Sequence, residues 1–271
     1  MALEPGGDPT QRFGARAKAY ARARPGYPDA VVAALAQALP LAAGSTVVDL
    51  GCGTGLSSEA FLRAGFRVIG IEPNEAMRAQ AAQLSAAYPG FVVLAARAEA
   101  TTIPEASADL VIAAQAFHWF DVAAARLEAL RILRRPPRAA LLWNDRRADG
   151  SEFARGYEEL LLRFGTDYRE VQRRHAQTEH IAQFFGGAHW HTLRVAHTTP
   201  LDFEALADRL NSASYVPPAG DARYGPMMQS LRELFRATER DGRVQMEFET
   251  RVHYGEMRDR PAGPAAQMRP S

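Results

Sequence analysis

Residues Val47 to Phe61 read VVDLGCGTGLSSEAF: a short apolar run, an acid, three glycines at alternate positions, then spacing that suits a helix. A continuous apolar run of this length fits a strand buried on both faces, and the change of period after Gly55 predicts a strand, a tight loop and a helix in succession. In an open α/β sheet, the turn after the first strand lies where ligands bind. Gly51, Gly53 and Gly55 let the main chain take positive φ and let a ligand lie against it.

Two ligands suit such a loop: a dinucleotide, or a nucleoside carrying an amino acid. The dinucleotide fingerprint needs G-x-G-x-x-G with a pyrophosphate on the helix N-terminus. Here Leu56 stands in the third glycine's place, and Asp49 just before the loop repels phosphate while accepting hydrogen bonds from an ammonium group. Glu72, ending the next apolar run FRVIGIE, is placed to accept both hydroxyls of a ribose.

Working outward, PDAVVAALAQAL from Pro28 predicts a helix before the first strand, and NEAMRAQAAQLSAA a helix with Asn74 as its N-cap. FVVLAARAE, ADLVIAAQAF, VAAARLEALRIL and RAALLWN continue the alternation of strand and helix, which predicts a parallel sheet covered on both faces. After Asn144 the segments SEFARGYEELLLRFG, FEALADRLNS and RYGPMMQSLRELFRAT read as helices. WHTLRVAHTT and VQMEFETRVHYGEM read as two late strands paired as a hairpin. The expected organisation is one domain over residues 13–257, with a cofactor-binding core at 13–144, inserts and late strands on the acceptor side at 145–257, and flexible ends at 1–12 and 258–271.

Composition narrows the function classes. The 271 residues carry 47% hydrophobic side chains and a formal net charge of +1, enough for one substantial core and with no basic face for nucleic acid. Cys52 is the only cysteine, which removes an internal disulfide and a cysteine-based zinc cluster within one chain. A reducing cytoplasm fits, and no apolar run approaches the roughly 20 residues that cross a bilayer. His189 and His191 are spaced for one strand face but have no third ligand at a defined spacing, so no metal is expected. Phe117, Trp119 and Phe120 read equally as an acceptor pocket and as packing.

The loop with Asp49 and Glu72, together with YARARPGYP, ARAEATTIP, AAQAFHWFD and RILRRPPRAALLWN, resembles the class I S-adenosylmethionine-dependent methyltransferases. It resembles in particular their small-molecule (type 11) group, which includes trans-aconitate methyltransferase-like enzymes. The resemblance spans Phe13 to Asn144 and implies a Rossmann-like, doubly wound, mostly parallel seven-stranded sheet with an antiparallel last strand. It implies that Gly51, Cys52, Gly53 and Gly55 line the methionyl part of S-adenosyl-L-methionine, Glu72 the ribose, Pro73 and Met77 the adenine face, and Ala98 and Glu99 the adenine edge. Gln115 would lie beside the methionine portion, and Tyr20, Arg24 and Tyr27 would belong to an amino-terminal lid. Arg135-Pro136-Pro137-Arg138 departs from the proline-glycine-glycine turn of the group.

The expected activity is methyl transfer to an oxygen or nitrogen of a small-molecule acceptor, without nucleic acid or membrane as partner. His118, following the fourth strand, is the candidate general base, since imidazole titrates in the physiological range. It reads equally as a histidine that fixes the loop of Trp119. Two other classes remain open at this point: a non-catalytic cofactor-binding module serving a partner protein, and an NAD-binding oxidoreductase.

Overall fold

The computed structural model describes residues 25–166, 168, 178–213 and 215–258. Among them the order is α1 (Asp29–Ala38), β1 (Thr46–Leu50), α2 (Leu56–Arg63), β2 (Arg67–Ile71), α3 (Glu75–Ala81), β3 (Phe91–Leu94), β4 (Leu110–Ala114), α4 (Val122–Ile132), β5 (Arg138–Arg146), α5 (Glu152–Phe164), α6 (Thr178–Phe185), β6 (His191–Leu201), α7 (Phe203–Asn211), α8 (Tyr224–Thr238) and β7 (Val244–Glu256). One seven-stranded sheet has the order β3-β2-β1-β4-β5-β7-β6. The strands from β3 to β5 are parallel, and β7 runs antiparallel to both β5 and β6. The expected hairpin of the two late strands is therefore present, with α7 and α8 inserted between them.

Local chemistry explains the elements. β1 is buried at every position, which is why it reads as an unbroken apolar run with no polar alternation. The Asn74, Asp121, Ser151 and Asp202 side chains each accept a backbone N–H in the first turn of α3, α4, α5 and α7, satisfying donors that have no helical partner. Three sequence expectations change. β3 stops at Leu94, because Arg97 and Ala100 bridge each other in a tight turn that also holds Ala98 and Glu99. β5 continues past Asn144 to Arg146, and β6 begins at His191, leaving His189 outside any strand.

Alternate residues of the strands face two cores. On one side Val48, Leu50, Ile71, Val111, Leu141 and Trp143 meet α4 and α6. On the other Val47, Val68, Leu110, Ile112, Ala140, Leu142 and Val252 meet α1 and α2. A third core joins α5, α7 and α8 to the start of β7 through Phe153, Leu161, Leu206, Met227, Leu231 and Phe248. It has room to form because β7 outruns β5. The last β5 pair is Arg146↔Phe248, yet β7 stays paired with β6 through Thr198↔Glu247, Thr199↔Met246, Pro200↔Gln245 and Leu201↔Val244. The overhang lies at the carboxyl edge of the sheet, the same edge from which the loops after β1, β2 and β4 leave, with β5 between it and β4.

Candidate active site

The loop after β1 is fixed from both sides. The Gly51 and Cys52 N–H groups donate to Ile71 O at 2.8 and 3.1 Å, and Gly53 N–H donates to Glu72 Oε2 at 2.9 Å. Glu72 Oε1 accepts from Asn74 N–H at 2.8 Å, so one carboxylate ties the first loop to the start of α3. Arg78 Nη1 donates to the Glu72 and Pro73 carbonyls at 2.9 and 3.0 Å, closing the same corner.

Glycine is required in this loop for different reasons at different positions. Gly51 has φ 68°, and a β-carbon there would come within 2.6 Å of Ala116 Cβ. Gly53 has φ 59°, and its missing side chain faces nothing within 4 Å, leaving main chain bare to an open space. A bare backbone beside open space is what a ligand lying along the chain needs.

Asp49 does more than the sequence suggests. Its Oδ2 accepts from Ser57 Oγ at 2.6 Å and Ser58 Oγ at 2.7 Å, anchoring the first turn of α2, while Oδ1 is buried without a partner. Thr54 Oγ1, in the loop itself, is the second buried and unpartnered oxygen here. Burial pushes the Asp49 carboxyl up to about 6, with the charge of Glu72 adding to the rise and the two serine hydroxyls opposing it. Burial also raises Glu72, opposed by its backbone hydrogen bonds and by Arg78. The Cys52 thiol is pushed up, first by burial and then by these two acids, so it stays protonated and serves as packing. Two desolvated carboxylates with oxygen valences to spare form a site for a cation that carries hydrogen-bond donors.

The structure gathers most of the sequence-derived residues around this loop. Met77 is buried, and its N–H donates to Asn74 Oδ1 at 2.9 Å; Pro73 is exposed beside it. Ala98 is buried, whereas the Glu99 carboxylate accepts from Asp121 N–H at 3.0 Å and joins the β3 turn to α4. Gln115 takes φ 59°, uncommon for a residue with a side chain, at the end of β4. Its Nε2 donates to Asn144 O at 3.1 Å. Asn144 in turn accepts from Thr250 Oγ1 at 2.5 Å and donates to Gly26 O at 3.2 Å. Tyr27 is buried in the core against α1 and α2; Tyr20 and Arg24 lie outside the described residues.

The segment after β4 separates the three aromatic residues. Phe117 is buried and meets Phe120, Trp143 and Phe184 edge-on, which makes it packing. His118 and Trp119 are exposed on the same single turn, with ring centroids 4.8 Å apart. Sequence reasoning missed Thr54, Ser57, Ser58, Arg78 and Asn144. Only the serine pair carried a local signal, two hydroxyls in the first turn of a helix that follows a buried acid.

Residues 48–138 match the family model described as a methyltransferase domain. An uncharacterized methyltransferase of Mycobacterium tuberculosis H37Rv is 39% identical over 139 residues, covering 51% of this chain and 54% of its own. An uncharacterized methyltransferase-like protein of Schizosaccharomyces pombe is 30% identical over 132 residues, 47% of this chain and 49% of its own. The chain thus spans about half the length of these curated relatives. Among solved structures, a protein of Anaeromyxobacter dehalogenans provisionally assigned as a type II methyltransferase superposes with TM-score 0.58 at 25% identity, over 86% of this chain and 98% of its own. The YcgJ protein of Bacillus subtilis, at 17% identity and TM-score 0.51 over 86% of this chain and all of its own, shares the fold.

Proposed function

We propose, from the premise that the chain carries a class I methyltransferase domain, that it uses S-adenosyl-L-methionine to methylate an oxygen or nitrogen of a small organic acceptor. The carrying observation is the pair of buried, unpartnered oxygens, Asp49 Oδ1 and Thr54 Oγ1, beside the bare backbone of Gly53. They accept hydrogen bonds from an ammonium group, whereas a pyrophosphate at the same place would meet the Asp49 carboxylate. Glu72 keeps lone pairs beyond those bound by Gly53 and Asn74, and these suit the two hydroxyls of a ribose. Met77 and Pro73 flank that corner on the adenine side.

When bound, the cofactor supplies a methyl group already activated by a sulfonium. The chain's own part is therefore chiefly placement, and holding reactants in line is worth effective molarities of order 10⁵ M or more. Gln115, held by Asn144, and the exposed turn of His118 border the acceptor's approach at the carboxyl edge of β4. In this reading His118 takes the proton that a hydroxyl or amine acceptor gives up. The deciding experiment is calorimetry with S-adenosylmethionine, S-adenosylhomocysteine and NAD, followed by transfer of labelled methyl into a metabolite extract. Binding of NAD in place of the sulfonium compound, or binding without any labelled product, defeats the proposal.

A further inference from the structure

β4 gives way to a residue that is locked twice. Gln115 N–H donates to Leu142 O at 3.0 Å, and its side-chain Nε2 donates to Asn144 O at 3.1 Å. The last β4 pair is Ala114↔Leu142, so the side-chain amide takes the next β5 carbonyl in place of a backbone donor, and the chain can leave the sheet at once. It leaves with φ 59° at Gln115, a left-handed conformation that a residue with a side chain keeps only where its surroundings over-determine it. The next residue passes over the glycine loop: a β-carbon on Gly51 would come within 2.6 Å of Ala116 Cβ and 3.5 Å of the Phe120 ring.

The direction of this amide is fixed by its partner. A main-chain carbonyl only accepts, so the Gln115 nitrogen faces Asn144 O and Gln115 Oε1 faces away from it. Oε1 accepts from no described residue and is not buried, while the residue as a whole is half-buried. Asn144 is held in turn, paired with Thr250 in β7 and accepting from Thr250 Oγ1 at 2.5 Å. The result is a neutral, fixed hydrogen-bond acceptor at the carboxyl end of β4, one residue from the contact with the glycine loop and at the sheet edge where ligands bind.

We propose that Gln115 Oε1 holds an N–H of the methyl acceptor, which makes that acceptor a neutral amine and not an alcohol. This rests on the methyltransferase reading of the neighbouring loop. The nitrogen lone pair forms the C–N bond while the C–S bond breaks, the pair of that bond staying on sulfur; the methylated nitrogen becomes cationic and afterwards sheds one proton to His118 or to water. Its N–H is a stronger donor once the charge develops, so the bond to Oε1 tightens toward the transition state, which is the condition for catalysis by binding. An alcohol gains nucleophilicity only by giving up its hydrogen, which an amide oxygen holds but does not take. A carboxylate in the same place would favour the protonated amine, which has no lone pair; a neutral amide does not.

The test uses the full chain, S-adenosylmethionine with a labelled methyl, and a deproteinised metabolite extract. Half of the extract has its amines acetylated, followed by mild alkali to free any acetylated oxygens. The untreated half should take up label and the acetylated half should lose it; equal labelling of the two overturns the amine and leaves the methyltransferase reading standing. Gln115→Gly accepts φ 59° without strain, so Tm should hold and S-adenosylhomocysteine affinity should stay within about twofold. The maximum rate over a dilution series of untreated extract should fall about ten- to a hundredfold, as for a misplaced nucleophile. If that variant fails to fold, Gln115→Asn, which also tolerates left-handed backbone but is one methylene shorter, takes its place with the same expectation. A lowered Tm with an undiminished rate in the folded fraction would make Gln115 a lock for the strand end alone and overturns the proposal. Label in neither half, or no binding of S-adenosylhomocysteine by the wild type, defeats the methyltransferase reading and this inference with it.

Discussion

Gly53 N–H and Glu72 Oε2 meet at 2.9 Å, so the loop after β1 and the end of β2 are one unit although 19 residues separate them. The residue assigned to the ribose is thus also a brace for the glycine loop. Glu72→Ala should weaken S-adenosylhomocysteine binding by about 1.5–3 kcal/mol for each charge-assisted hydrogen bond lost. Unchanged calorimetric affinity in a folded variant would remove Glu72 from the site.

Asp49 makes the cradle sensitive to pH. Its folded-state value of about 6 lies above the ordinary 3.8, so the folded chain holds this proton more tightly than the unfolded one does. Stability without ligand should therefore fall as pH rises from about 4 to about 6, by at most about 3 kcal/mol. A cationic ligand selects the ionised form, so its affinity should increase over the same interval. Tm and calorimetry between pH 4.5 and 7.5, compared with Asp49→Asn, check both signs; a flat affinity profile shows that Oδ1 does not face the ligand.

The two glycines should fail in different ways. Gly51→Ala drives a β-carbon to within 2.6 Å of Ala116 Cβ and should chiefly lower Tm. Gly53→Ala meets no atom within 4 Å, so its folding cost is about the 1–2 kcal/mol of a left-handed alanine, while the methyl enters the open space where the proposed cofactor would lie. Loss of cofactor affinity with modest loss of Tm is expected for Gly53→Ala; retention of full affinity would show that the open space is not used.

His118→Gln separates proton transfer from placement. If the imidazole takes the acceptor's proton, kcat should fall about 10² to 10⁴-fold and the acidic limb of its pH profile should disappear. A variant that keeps both rate and limb leaves placement as the whole of catalysis.

The third core should be structural first. Leu231 is fully buried in it, and Leu231→Ala should cost about 2–5 kcal/mol, read by denaturant unfolding. Affinity for S-adenosylhomocysteine should stay unchanged in the folded fraction, because α8 shares no core with the glycine loop.

What the sequence reveals here is what short range determines. β1, the glycine loop, the Asn74 cap and the alternation through β5 all rest on residues within a few positions of one another, and each is visible as a period or a cap. The end of β3 is hidden in the sequence because the apolar run continues through Ala95 and Ala96 past Leu94, and only the Arg97↔Ala100 bridge shows where the chain folds back. His189 drops out of β6 because strand boundaries are set by pairing, and the first β6 partner is Tyr254 for His191. Asn144 bonds Thr250 from 106 residues away, and Arg146 bonds Tyr168 in a segment whose spacing shows nothing unusual. Such contacts exist only once the sheet order is known.

The overhang of β6 and β7 bears on how this protein can diversify. The ribbon of Thr198–Leu201 and Val244–Glu247 carries its helices beyond the last residue of β5, on a core that borrows nothing from β1 or β2. Changes in α7 and α8 can accumulate there without disturbing the grip on Asp49 and Glu72. A lineage, or an engineer, can exchange the overhanging unit while inheriting β1, β2 and the glycine loop intact.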